Sequence, residues 1–266
     1  MIEKITSLQN PRVKNIIHLS KASERQKQNL IVVEGFREIN MAYTAGFEIK
    51  ELYFFGEVNR HHGIEDLLQQ LSSKVKLTEV TKAVFEKIAY RENSDGLIAL
   101  AVPKYKKVEE LTLSKKPLLL VLESIEKPGN LGAILRTADA AAIDGIIVCD
   151  PRTDIYNPNV IRSSLGCIFT QQVLTCTSIE AIEFLKANNI KSYAAALTAT
   201  HFYHETDFTG PSAIIMGSES QGLSEIWLNN ADQKIKIPMG GRVDSLNVAS
   251  SSAILVFEAK RQRNFR

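Results

Sequence analysis

This 266-residue chain has little cysteine, no long apolar run and almost no net charge. Its three cysteines, Cys149, Cys167 and Cys176, are odd in number and form no CxxC pair. That argues against a disulfide framework and against a structural zinc site. No apolar run approaches the ~20 residues needed to span a bilayer. The opening residues Met1-Ile2-Glu3-Lys4-Ile5-Thr6 lack the apolar core of a secretion signal. The expected location is the cytoplasm, with no membrane partner. The formal net charge is only +2, so bulk charge does not announce a nucleic-acid partner. A Gly-rich dinucleotide loop is missing too. The stretch 123–132, which follows the first strand of the C-terminal half, lacks the required glycine triplet. His201 and His204 stand i,i+3 without an acidic or Cys partner at ligand spacing and read as a surface loop. No metal is expected.

What is present is ordinary globular material, 44% hydrophobic and 23% charged. Its length allows one large domain or two small ones. Residues 1–30 carry Lys4, Arg12, Lys14, Lys21, Arg25 and Lys27 against Glu3 and Glu24. Lys260, Arg261, Arg263 and Arg266 close the chain. Both clusters are candidates for phosphate contact, with Arg12 and Lys14 foremost, or else solvated helix faces. The first third reads as a small α/β domain over 1–103. Helical spacing covers 7–23 and 36–45, and strand-like runs cover 30–33, 49–55, 75–80 and 97–102. A polar, basic stretch after Pro103 reads as a linker over 104–115. From 116 to 266 the pattern becomes regular strand–helix alternation. Apolar runs lie at 118–122, 145–149, 172–174, 192–196, 213–216 and 235–237. Helical stretches lie at 131–142, 157–165, 179–187 and 223–228. Continuous apolar strands imply a parallel sheet covered on both faces, and such sheets bind ligands at the carboxyl ends of their strands.

Three loops sit at such ends. The first is Pro128-Gly129-Asn130-Leu131-Gly132-Ala133-Ile134-Leu135-Arg136, with Asn130 at an expected N-cap and Arg136 two turns into the helix. By itself it reads first as a capped amphipathic helix. In the second, Ile214-Ile215-Met216-Gly217-Ser218-Glu219-Ser220-Gln221-Gly222-Leu223, a strand delivers Gly217, where a ligand can approach the backbone. Glu219 then accepts N–H groups at a helix start. The third is Ile237-Pro238-Met239-Gly240-Gly241-Arg242-Val243-Asp244-Ser245-Leu246-Asn247-Val248. Here a strand stops at a proline, a Gly-containing loop follows, and Ser245 and Asn247 open a helix with free backbone N–H groups.

Taken together and in order, the three motifs resemble those of the SpoU/TrmH family of RNA ribose 2′-O-methyltransferases over about 116–262. The N-terminal third resembles, more weakly, the small substrate-binding domain of many members, chiefly through Ile31-Val32-Val33-Glu34-Gly35. The resemblance implies an α/β fold with a deep trefoil knot in the C-terminal part, S-adenosylmethionine (SAM) bound at the knot, and a homodimer. It implies that Gly217, Ile237, Met239 and Leu246 contact the cofactor. Asn130, Arg136, Glu219, Ser245 and Asn247 fall on the family's polar active-site positions. Arg162, Ser163 and Ser164, with Gly166, resemble a loop near the substrate. Ser220, where Gly is common, and the stretch 249–252 depart from the pattern without removing a polar group the chemistry uses.

Methyl transfer to a 2′-hydroxyl needs that oxygen aligned behind the methyl carbon and its proton removed. Two versions of the Arg136 role stand: a transient base beside a phosphate, or a cation that holds the phosphate and stabilises the developing oxyanion. The expected substrate is 23S ribosomal RNA, with transfer RNA as the alternative. A catalytically silent RNA-binding protein of the same fold is a rival, against which the retained polar set argues.

Overall fold

The computed structural model describes residues 2–56, 62–72, 74–90 and 95–265. Arg266, counted above in the C-terminal basic cluster, lies outside them. In chain order the elements are β1 (Glu3–Ile5), α1 (Pro11–His18), α2 (Ala22–Gln28), β2 (Ile31–Glu34), α3 (Phe36–Thr44), β3 (Ile49–Phe55), α4 (His62–Ser72), β4 (Lys76–Val80), α5 (Lys82–Ile88) and β5 (Leu97–Ala101). There follow β6 (Leu118–Glu123), α6 (Pro128–Ala140), β7 (Gly145–Cys149), α7 (Pro158–Ser163), α8 (Cys167–Thr170), β8 (Val173–Cys176) and α9 (Ser178–Ala187). The chain continues with β9 (Lys191–Ala195), β10 (His201–Phe202), β11 (Ser212–Met216), α10 (Glu225–Asn230), β12 (Gln233–Lys236) and α11 (Val248–Gln262). These elements form two compact units, one of residues 1–104 with 156–170, the other of 105–155 with 171–266. The linear boundaries read from the sequence are contiguous; the compact units are not.

The first unit carries a five-stranded sheet in the order β1-β4-β3-β5-β2. β1 and β3 flank β4 in parallel, whereas β5 runs antiparallel to β3 and β2. All five residues of β5 are buried, as a strand paired on both edges under helices must be. The expected single helix over 7–23 is two helices, α1 and α2. Arg25, buried to 1% exposure, turns back to donate to the carbonyls of Leu19 and Ser20 at 2.9 and 2.8 Å, capping the end of α1. It is therefore a scaffold residue, not a phosphate contact. α4 and α5 were not anticipated. The returning segment places α7 against β2 and α8 against α3. At their junction Gly166 has φ +85° and a Cβ there would lie 2.9 Å from Met41 Sδ. Glycine adopts that backbone without strain and leaves Met41 in place.

The second unit is a seven-stranded sheet in the order β10-β12-β9-β11-β6-β7-β8, every pair parallel. Strands β6, β7 and β11 are buried at every position, so both faces are covered. Val121, Ile147, Leu174 and Ile215 form the core on one side with Trp227 of α10. The C-terminal basic cluster is largely structural. Arg263 donates to the carbonyls of Phe208, Lys116, Pro117 and Gly210 at 2.6–3.3 Å. Burial lowers its pKa. Arg261 pairs with Glu258 at 2.8 Å. Among the described residues no helix is long and apolar enough to cross a membrane.

Candidate active site

The loops leaving β6, β11 and β12 meet above the carboxyl ends of the parallel strands of the second unit. The first runs into α6, whose cap is Lys127 with Pro128 in the first turn. Asn130 therefore lies inside the helix and is not its N-cap, as the sequence had suggested. Relieved of capping, its side chain reaches outward: Nδ2 donates to Glu219 Oε1 at 2.5 Å. Glu219 Oε2 accepts from the backbone N–H of Glu126 at 3.2 Å. The carboxylate thus sits at the N-terminus of α6, where the helix dipole favours an anion. Burial raises its pKa, but hydrogen bonds from Asn130 and from the N–H groups of Glu219, Glu126 and Lys127 outweigh this and leave it below its ordinary value. Glu219 was expected to serve a helix start, and it does so for α6, not for the helix that follows it in the chain.

Gly217 and Gly222 shape the second loop. Ser218 and Gly222 exchange two backbone hydrogen bonds of 3.0 Å, folding 218–222 back on itself, with Gly222 at φ +70°. A Cβ on Gly217 would lie 2.2–2.4 Å from the backbone of Gly222 and Leu223. Glycine is required because the chain itself crosses at that point. The third loop ends in Asn247, the N-cap of α11. Its Oδ1 accepts from Ala249 N–H at 2.9 Å, which turns Nδ2 toward Asn130 Oδ1 at 3.2 Å. The result is a directed relay, Asn247 to Asn130 to Glu219, in which each amide's orientation is set by its neighbour. It ties all three loops together.

Two participants were missed. Glu126 accepts from Arg152 at 2.6 Å and from Ser220 at 2.9 Å, and its carbonyl accepts from Thr153 at 2.5 Å. The buried Glu123 accepts from Ser224 N–H at 2.8 Å and Ser224 Oγ at 2.6 Å, holding the start of α10. Both carboxylates stand at or just past a strand end, the only local signal that marked them.

The remaining expected residues are placed as follows. Arg136 is exposed on α6, and its guanidinium makes no hydrogen bond or ion pair among the described residues. Ser245 is exposed, and its hydroxyl donates to Asp244 Oδ1 at 3.4 Å. Ile237 and Met239 are half-buried and Leu246 is 40% exposed. The backbone N–H groups of 239–246 have no partner among the described residues. Arg162, Ser163, Ser164, Arg12 and Lys14 all belong to the first unit. Arg162 and Lys14 are exposed. Ser164, by contrast, is fully buried and donates to the Ile161 carbonyl at 2.9 Å, which leaves it no face toward a substrate. Ser163 donates to Asn159 O within its own helix at 2.5 Å. Arg12 is committed locally. It donates to Glu51, Tyr53 and Thr78 at 2.6–3.3 Å and pairs with Glu3 at 2.9 Å, knitting β1, β3 and β4. Nε and Nη2 are held in this way, while the buried Nη1 faces Glu3 without a hydrogen bond of good geometry. Arg12 is thus chiefly a scaffold residue and not the foremost phosphate contact. No group of three or more His, Cys, Asp or Glu suited to a metal stands together among the described residues.

The profile of the SpoU rRNA Methylase family matches residues 117–257, and that of the MRM3-like substrate binding domain matches residues 10–99. The chain belongs to the SpoU rRNA methylase family. The 23S rRNA (guanosine-2′-O-)-methyltransferase RlmB of Vibrio parahaemolyticus is 36% identical over 71% of this chain and 79% of its own length. A crystal structure of an RNA 2′-O ribose methyltransferase is 39% identical with a TM-score of 0.84, covering 98% of this chain and 99% of that one. The AdoMet-bound rRNA methyltransferase of Sinorhizobium meliloti is 28% identical with a TM-score of 0.90, covering 98% of each chain. The three motifs of this SpoU family member are thus the loops that the Asn247–Asn130–Glu219 relay draws together.

Proposed function

We propose that this protein transfers the methyl group of SAM to a ribose 2′-hydroxyl of 23S ribosomal RNA. One observation carries the reading: the relay that joins all three motif loops at the carboxyl ends of parallel strands. The relatives named as 23S rRNA methyltransferases favour ribosomal over transfer RNA. The cofactor fits the residues present. Ile237, Met239 and Leu246 offer apolar surface for an adenine, and the unpartnered N–H groups of 239–246 offer donors beside them. When bound, SAM supplies an activated methyl carbon for in-line displacement.

The chain's own residues do the rest. Glu219, held ionised by its donors, is an acceptor only and fixes the start of α6. Asn130 and Asn247 lock the loops, so that the reacting groups meet a preformed site; such positioning supplies several kcal/mol. Ser245 orients the ribose or the loop. An exposed guanidinium is a cation, and Arg136 is exposed, which supports the version in which it grips a phosphate and stabilises the developing oxyanion. The 2′ proton then leaves to phosphate or water. Arg162 and Lys14, exposed in the first unit, serve RNA phosphates.

The same reading includes a cytoplasmic homodimer and the family's trefoil knot. Transfer of radiolabelled methyl from SAM to separated ribosomal and transfer RNA tests the proposal. Alkali-stable label in 23S RNA, absent with Arg136→Ala, is expected. Label in transfer RNA alone, or in neither RNA while SAM still binds, refutes it.

A further inference from the structure

The first unit holds a cavity of about 160 Å³ between α1, β2, the end of α5 and α7. Its wall is apolar, made by Ile16, Val32, Ile88 and Ile161, all buried side chains. Glu34 lies within it at 8% exposure and accepts the backbone N–H of Tyr90 at 2.6 Å. The exposed residues of the lining include Lys87, Tyr90 and Arg162. Among the described residues neither Lys87 nor Arg162 makes an ion pair.

These features constrain the occupant. A space of about 150 Å³ holds one six-membered aromatic ring. The wall asks for a flat apolar body and the exposed cations for an anion outside. Tyr90, 55% exposed, is an aromatic platform fixed at its backbone by Glu34. A nucleotide splayed out of an RNA strand combines these properties with a face to stack on Tyr90. We infer that this cavity receives one unstacked base of the RNA substrate, with Tyr90 stacking on it and Lys87 and Arg162 holding the adjoining phosphates. The inference rests on the RNA reading above and adds to it a base subsite outside the methyl-transfer unit. It also gives Arg162 a defined task that its neighbours do not share, Ser163 being bonded within its own helix and Ser164 buried.

The test uses the full chain and the ribosomal RNA fragment that takes methyl label. Fluorescence-polarisation titrations over a salt series compare wild type with Tyr90→Ala, Lys87→Ala, Arg162→Ala and the cavity-filling Ala89→Phe. SAM affinity, measured alongside, reports an intact second unit. Tyr90→Ala is expected to weaken RNA binding about 5- to 150-fold, the range for loss of one base stack. Each cation removed lowers the slope of log affinity against log salt by about 0.7. Ala89→Phe weakens binding with the slope unchanged, and abolishes saturation-transfer signals from nucleoside 5′-monophosphates. RNA affinity and mononucleotide signals that stay within twofold of wild type in all four variants overturn the subsite. Absence of methyl transfer by wild type overturns the RNA reading separately, since mononucleotide binding still reports on the cavity.

Discussion

Gly217→Ala tests whether the site loop is shaped by the crossing of its own backbone. A methyl group there would meet Gly222 C, Gly222 O and Leu223 N at 2.2–2.4 Å, and none of these is a flexible side-chain end. The loop must open. Doing so breaks the two 3.0 Å backbone bonds between Ser218 and Gly222, each worth about 1 kcal/mol net. Forcing a methyl into packed backbone adds about 1–3 kcal/mol. The expected destabilisation is therefore about 3–5 kcal/mol, a large share of the ~5–15 kcal/mol that folded domains possess. Trp227, the single tryptophan, is fully buried in α10 and reports on this unit. Its fluorescence through a urea titration gives the midpoint shift. Gly241→Ala is the control: a Cβ there meets nothing within 4 Å, and a change within about 0.5 kcal/mol is expected. Equal midpoints for wild type and Gly217→Ala would refute the reasoning.

Two further predictions concern charge. Glu219 has a folded pKa below its ordinary value of 4.5, so its contribution to stability is present above that value and is lost as pH falls from about 4.5 through the lower folded pKa. Urea midpoints taken from pH 7 down to pH 3 should therefore fall less steeply below about 4.5 for Glu219→Gln than for wild type; parallel curves would contradict the assigned hydrogen bonds. Arg12→Ala should cost about 2–4 kcal/mol of first-unit stability, because it strips Glu51, Tyr53 and Thr78 of their shared donor. Lys14→Ala should leave the melt unchanged and weaken RNA binding at low salt. Thermal melts with RNA titrations separate the two, and the reverse pattern would return Arg12 to the phosphate surface.

Much of the fold was readable in the chain because it is written locally. The runs that became β3 and β7 match their strands end to end, and the unbroken burial of β6, β7 and β11 is what continuous apolar sequence implies. Asn247 was legible as a cap because capping is a two-residue matter. Asn130 was not, since its environment is supplied by Glu219 and Asn247, 89 and 117 positions away. Arg12 and Lys14 look alike in sequence. One is enclosed by residues 39–66 positions distant and the other is not, which no local pattern records. Ser164 was read as a substrate contact for the same reason: its hydroxyl and its neighbours are polar in sequence, but the fold closes over it.

The parallel sheet, the three loops at its strand ends and the polar residues those loops carry are all written in the order of the residues. Periodicity, caps and glycines act over a few residues, and each leaves a mark where it acts. Which of those residues meet, which cations the scaffold consumes, and that residues 156–170 join the first unit follow from folding alone. Those outcomes depend on where distant segments cross, and burial there changes what a side chain can bind without changing its letter in the chain.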